Sequence, residues 1–179
     1  MNRTRLMYLV NSVRKEVSEA FTSALGDWYT IKVAATADHI ADRFKDRSVS
    51  IKKDIETYRD IMMSLANHYS CYVLTYAVKA KTEGTQEVIV YRRVNGKIFA
   101  CPITVQIFFN EGEEKPVIAI RLRTVIPEYV SLANRKTIQV NYVPPKINFE
   151  YDGYRRVMSR LDRLIASKDC PPQLWMLKN

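Results

Sequence analysis

Tyr91-Arg92-Arg93-Val94-Asn95-Gly96-Lys97-Ile98-Phe99-Ala100 is the stretch on which the fold of this chain turns. Asn-Gly suits the positive φ angles of a type I′ turn, the tight connection of a two-stranded antiparallel hairpin. The flanking segments, Glu87 to Arg93 and Lys97 to Phe109, are rich in β-branched and aromatic residues and predict its two strands. Asn110-Glu111-Gly112-Glu113-Glu114-Lys115 reads as a second, more acidic hairpin loop, with Val117 to Val125 as the strand beyond it. Cys71 to Val78 and Thr137 to Val143 read as further strands, and Trp28 to Val33 as a short strand or extended connector. Tight connections imply antiparallel neighbours.

Upstream of the hairpin the apolar period is helical. Leu6, Leu9, Val10, Val13, Val17, Ala20, Phe21 and Ala24 recur at three- and four-residue spacing, and Gly26 supplies a stop. Thr36 and Asp38 are candidate N-caps for a short helix ending near Arg47-Ser48. Ser50 caps the next, whose stripe is Ile51, Ile55, Tyr58, Met62 and Leu65. Downstream, Pro144-Pro145 ends the sheet, a helix is expected from about Tyr151 to Ser167, and the tail around Trp175 is apolar. The expected architecture is α+β: N-terminal helices packed on an antiparallel β-meander of four to five strands, with a C-terminal helix. One domain over residues 1–179 is expected, with a helix at 1–26, helices plus sheet core at 28–143, and a helix and apolar tail at 151–179.

Composition narrows the function classes. No apolar run reaches the roughly 18 residues of a membrane span. The segment after Met1-Asn2-Arg3-Thr4-Arg5 carries Arg14, Lys15, Glu16 and Glu19, which a signal peptide would not. Cys71, Cys101 and Cys170 are widely spaced and form no C-x-x-C pair, so reduced thiols and a cytoplasmic location are expected, the host cytoplasm for a viral protein. There is no P-loop, G-x-G-x-x-G or H-E-x-x-H pattern, so neither a metal nor another cofactor is expected. Lys and Arg number 28 against 19 Asp and Glu, a net charge of +9. Such a surplus attracts polyanions through counterion release, and RNA, DNA, a ribosome or an acidic host protein would each satisfy it.

Two constellations could carry chemistry. In Ala37-Asp38-His39-Ile40-Ala41-Asp42-Arg43-Phe44-Lys45-Asp46-Arg47, a helix would stack His39, Arg43 and Arg47 on one face. An imidazole can move a proton, and a guanidinium offers a planar fork to phosphate oxygens, so these three are the catalytic candidates. An ordinary solvated basic helix has the same pattern. In Val117-Ile118-Ala119-Ile120-Arg121-Leu122-Arg123, alternation puts Ile118, Ile120 and Leu122 on one face and Arg121 and Arg123 on the other. With Arg92, Arg93 and Lys97 around the turn, they are the candidate nucleic-acid contacts, although a half-exposed antiparallel strand looks the same. Arg156, Arg160 and Arg163 form a basic stripe on the expected last helix, which together with Trp175 suits a protein partner.

The motif His39, Asp42, Arg43 and Arg47, followed by a helix and then strands, resembles the RelE/YoeB-like small ribonuclease superfamily, in particular its phage branch typified by the RegB endoribonuclease. The resemblance spans roughly residues 28 to 126. It implies an antiparallel sheet on helices with RNA across the sheet face, and metal-independent cleavage through the ribose 2′-hydroxyl. In that branch two histidines cooperate. Only His39 carries over; Arg59 stands where the second would fall. The resemblance therefore implies an mRNA-cleaving endoribonuclease of phage origin, or a non-catalytic relative that binds nucleic acid or a host or viral protein.

Overall fold

The computed structural model describes residues 1–127 and 131–140. Their order is α1 (Arg3–Leu25), β1 (Thr30–Ala35), α2 (Ala37–Arg47), α3 (Ile51–His68), α4 (Ser70–Glu83), β2 (Gln86–Val94), β3 (Lys97–Phe108), β4 (Val117–Leu122) and β5 (Thr137–Gln139). The fold is α+β with the helices N-terminal. The turn that organises it takes the conformation its sequence demands: Asn95 has φ 51° and Gly96 φ 77°, and Val94 pairs with Lys97 across it. From this pivot β2 and β3 pair antiparallel out to Gln86 and Val105, and β3 pairs antiparallel with β4 from Ile103–Leu122 to Phe108–Val117.

The sheet is mixed, and in this it departs from a simple meander. Its strand order is β1-β4-β3-β2-β5, with β1 parallel to β4 and β5 parallel to β2. Only the central three strands are joined by tight turns, which enforce antiparallel pairing. Three helices separate β1 from β2, so β1 is free to dock on the open edge of β4, with Ile31 beside Ile118 and Val33 beside Ile120.

A second departure is Cys71 to Val78, expected as a strand and found inside α4. Its β-branched and aromatic side chains fit a strand, but Val73, Leu74, Ala77 and Val78 are the buried set, spaced to share one helical face. Burial of that face overrides the local preference. Gly84, at φ 81°, ends the helix.

The four described helices lie on one side of the sheet. Val10, Val17 and Phe21 of α1, Ile40 and Phe44 of α2, and Ile61 and Leu65 of α3 share one core with Val33, Val90, Ile103, Val105, Ile118 and Ile120 of the strands. The opposite face carries a small cluster, Ile89, Ile98 and Ala100, packed by Tyr91, Ile126 and Leu132. Lys32, Arg93 and Arg121 stand exposed on this second face by the two-residue alternation of their strands. The described part of the strand expected at Thr137 to Val143 is β5. The expected C-terminal helix and tail, with Arg156, Arg160, Arg163 and Trp175, lie outside the described residues. Among the described residues, no helix is long and apolar enough to cross a membrane.

Candidate functional site

The site is built where the parallel strands β1 and β4 end. The backbone N–H of Thr36 donates to the Leu122 carbonyl at 3.0 Å, and that of Arg123 donates to the Pro102 carbonyl at 3.1 Å. These bonds fix the exit of β1, the end of β4 and the middle of β3 against one another. Helix α2 starts immediately after Thr36 and buries Ala37, Ile40, Ala41 and Phe44 against the core. Its first turn, with the partial positive charge of a helix N-terminus, therefore sits over the strand ends. With the apolar positions turned inward, His39 and Arg47 are left exposed and Arg43 half-buried.

His39 and Arg123 line one cavity of about 340 Å³, completed by Thr36, Pro102 and Thr124. An imidazole able to exchange a proton, a guanidinium and Thr36 thus share one cleft, a set suited to a single oxyanion, while the Thr124 hydroxyl is buried without a hydrogen-bond partner among the described residues. The other end of α2 meets the hairpin. Arg47 lines a cavity of about 330 Å³ with Lys53 and Lys97, and Asp54 is the one carboxylate in its wall. Asp54 also accepts a hydrogen bond from the Ser48 hydroxyl. The third cavity, about 660 Å³, lies against β2 and β3 and also takes in Arg123. There the guanidinium Nη1 donates to Glu87 Oε1 at 2.9 Å.

The residues singled out in the sequence fall into three groups. His39 and Arg123 come together, as do Arg47 and Lys97. Arg43, Arg93 and Arg121 line none of the three cavities, Arg93 and Arg121 being exposed on the open sheet face. Arg92 cannot contact a ligand from solution. It is 3% exposed, points to the helix side of β2 and donates to Ser64 Oγ at 3.4 Å. Adjacent residues of a strand face opposite ways, so Arg92 and Arg93 could not both have been surface contacts.

The remaining motif positions serve the scaffold. Asp42 pairs with Arg3 of α1 at 2.8 Å, and this hydrogen bond holds its carboxyl below the usual carboxylate value. Arg59 reaches Glu16 of α1 at 2.7 Å and lines none of the three cavities. His68, the other of the chain's two histidines, lies outside that motif, in the last turn of α3, and does not line the His39 cavity. In the sequence Thr36 stands out only as a helix cap, and Thr124, Pro102 and Lys53 do not stand out at all. No local pattern marks them as a site, because only the parallel docking of β1 on β4 brings Thr36 and His39 to Arg123 and Thr124. Among the described residues, no three His, Cys, Asp or Glu side chains gather where they could hold a metal ion. No protein-family model matches this chain, and no curated protein or solved structure matches it.

Proposed function

We propose that this protein binds RNA, seating a backbone phosphate between His39 and Arg123 and following the strand along α2 toward Arg47, Lys53 and Lys97. The observation that carries this reading is the shared cleft of His39 and Arg123, two candidates from different elements that meet only through the parallel β1–β4 pairing. The net charge of +9 supplies the long-range attraction, and the clefts at the two ends of α2 supply fixed cationic positions for phosphates. The resemblance to RelE/YoeB-like ribonucleases points to the same ligand.

A second reading adds catalysis at the same cleft. His39 is exposed there, so its imidazole could take the proton of a ribose 2′-hydroxyl. The resulting oxygen would attack the adjacent phosphorus, the O5′ bond would break with a proton taken from water, and Arg123 would offset the added negative charge. A 2′,3′-cyclic phosphate and a 5′-hydroxyl would result. Binding is placed first because no second proton-exchanging side chain lines that cleft.

One experiment addresses both readings. Fluorescein-labelled single-stranded RNA is titrated with the protein in EDTA over a series of salt concentrations, and the RNA is then resolved on a gel. Binding that weakens with salt, and weakens further in Arg123→Ala, is the expected result. Cyclic phosphate ends that vanish in His39→Ala add catalysis. Absence of RNA binding at low salt refutes the proposal and leaves a protein partner as the alternative.

A further inference from the structure

The cavity of about 660 Å³ takes in Arg123 from the side away from the His39 cleft, and its other lining residues have no part in the function proposed above. It shares Pro102 and Arg123 with the His39 cavity, so the two are separated by a common wall. Its apolar side chains on the open sheet face are Ile89 and Ile126, and its lining also carries Arg135 and Lys136. Its volume is in the range that takes a nucleotide-sized group. These two cations differ. Lys136 is engaged by Gln86 Oε1 and lies 3.9 Å from Glu83. Arg135 is exposed and has no side-chain hydrogen bond or ion pair among the described residues.

Arg123 stands in the dividing wall and is held by Glu87 at 2.9 Å. The arginine side chain is 49% exposed and that of the glutamate 70%, so the pair sits in water, where it is weak and open to competition. A ligand bearing one phosphate would satisfy one side of the wall. A strand bearing successive phosphates would satisfy both.

We infer that the RNA strand crosses Pro102 from the His39 cleft into this larger cavity, where Arg135 takes a second phosphate, the apolar floor takes an unstacked base, and Glu87 is the built-in competitor that a phosphate displaces from Arg123. This rests on the RNA-binding reading. The base is read weakly, because an aliphatic floor accepts any base by its face, whereas the phosphates set the register.

The test is the salt dependence of binding to single-stranded RNA, with a nucleoside monophosphate as competitor. Each phosphate contact on a single strand contributes about 0.7 to the slope of log K against log salt. Arg135→Ala should lower the slope by that amount, and Arg135→Lys should restore it. Glu87→Gln should tighten binding about two- to fivefold, the range an exposed pair is worth. Lys15→Ala, an exposed cation on α1, should do neither. The monophosphate should compete far more weakly than a short oligonucleotide. RNA binding with an unchanged slope in Arg135→Ala, or weakened by Glu87→Gln, overturns this inference and leaves the His39 cleft standing. Failure of the wild-type protein to bind RNA removes both.

Discussion

The ring of Phe44 stands edge-on to that of Tyr58, centroids 5.7 Å apart and planes at 77°. Both side chains are buried, 0% and 1% exposed, so the contact clamps α2 to α3 from inside the core. It also decides which way the candidate site faces. With Ile40 and Phe44 inward, the helical period leaves His39 and Arg47 outward, over the clefts. Phe44→Ala should cost about 3–5 kcal/mol of stability, since a large buried ring leaves a cavity and an edge-to-face partner is lost. Phe44→Leu should cost well under half of that. Urea unfolding followed by circular dichroism measures both, and a loss below about 1 kcal/mol for the alanine variant would show that α2 is held by other contacts.

The Asn95-Gly96 turn offers a local test of what sets the sheet. Gly96 holds φ 77°, where a Cβ would meet nothing within 4 Å, so the cost of a side chain there is backbone strain and not crowding. Gly96→Ala should lower stability by about 1–2 kcal/mol, the penalty of the left-handed region for an L-residue. Asn95→Gly should be close to neutral, because glycine accepts φ 51° as readily. Thermal melts of the two variants check the contrast. Equal losses would mean that the turn is a passive link.

The sequence made the hairpin, the first three helices and the two faces of β4 legible, each for a local reason. Asn-Gly has few alternatives, α1 repeats its apolar spacing over several turns, and β4 alternates without interruption. Two things were not local. The first half of helix α4 is rich in strand-forming residues, and only the four-residue return of Val73 to Ala77 and Leu74 to Val78, ahead of Gly84, hinted at its period. The parallel edges β1 and β5 are set by long connections whose return path no residue encodes. The site inherits this division. His39 and Arg123 were each visible as candidates, but their meeting depends on an edge pairing that no short pattern announces.

Buried acids that must stay neutral should make this protein alkali-sensitive. Burial pushes the Cys71 thiol up to about 11, and it raises Cys101 and Tyr58 in the same direction. In the unfolded chain a thiol ionises near 9.0. The folded state therefore binds more protons than the unfolded state above that pH, and stability falls as pH rises. The contribution from Cys71 is whole below pH 9 and is lost between 9 and about 11, while Cys101 continues the loss beyond. Urea midpoints from pH 7 to 11 should fall steadily above 9, and less so in Cys71→Ala measured against its own value at pH 7. Iodoacetamide at pH 8 should label Cys71 much more slowly in the native protein than in urea, because the thiolate is the reactive form. Equal labelling rates would contradict the burial of this thiol.

Arg92 and Arg123 make the sharpest contrast between a cation that supports the fold and one that the proposed function gives to a ligand. Arg92 is buried on the helix side of β2 beside Ser64, whereas Arg123 lines two cavities and is half-exposed. Arg92→Ala should destabilise by about 2–4 kcal/mol, since it removes a large side chain from a packed interior and leaves Ser64 without its donor. The fraction that remains folded should bind RNA with the wild-type salt slope. Arg123→Gln should do the reverse: its exposed pair with Glu87 is worth at most about 1 kcal/mol, yet under the proposed RNA binding the loss of charge should remove a phosphate contact and about 0.7 from the slope. Chemical unfolding and RNA titration on the same two samples separate the roles. If Arg92→Ala lowers the salt slope while Arg123→Gln leaves it intact, the RNA site has been placed on the wrong face of the sheet.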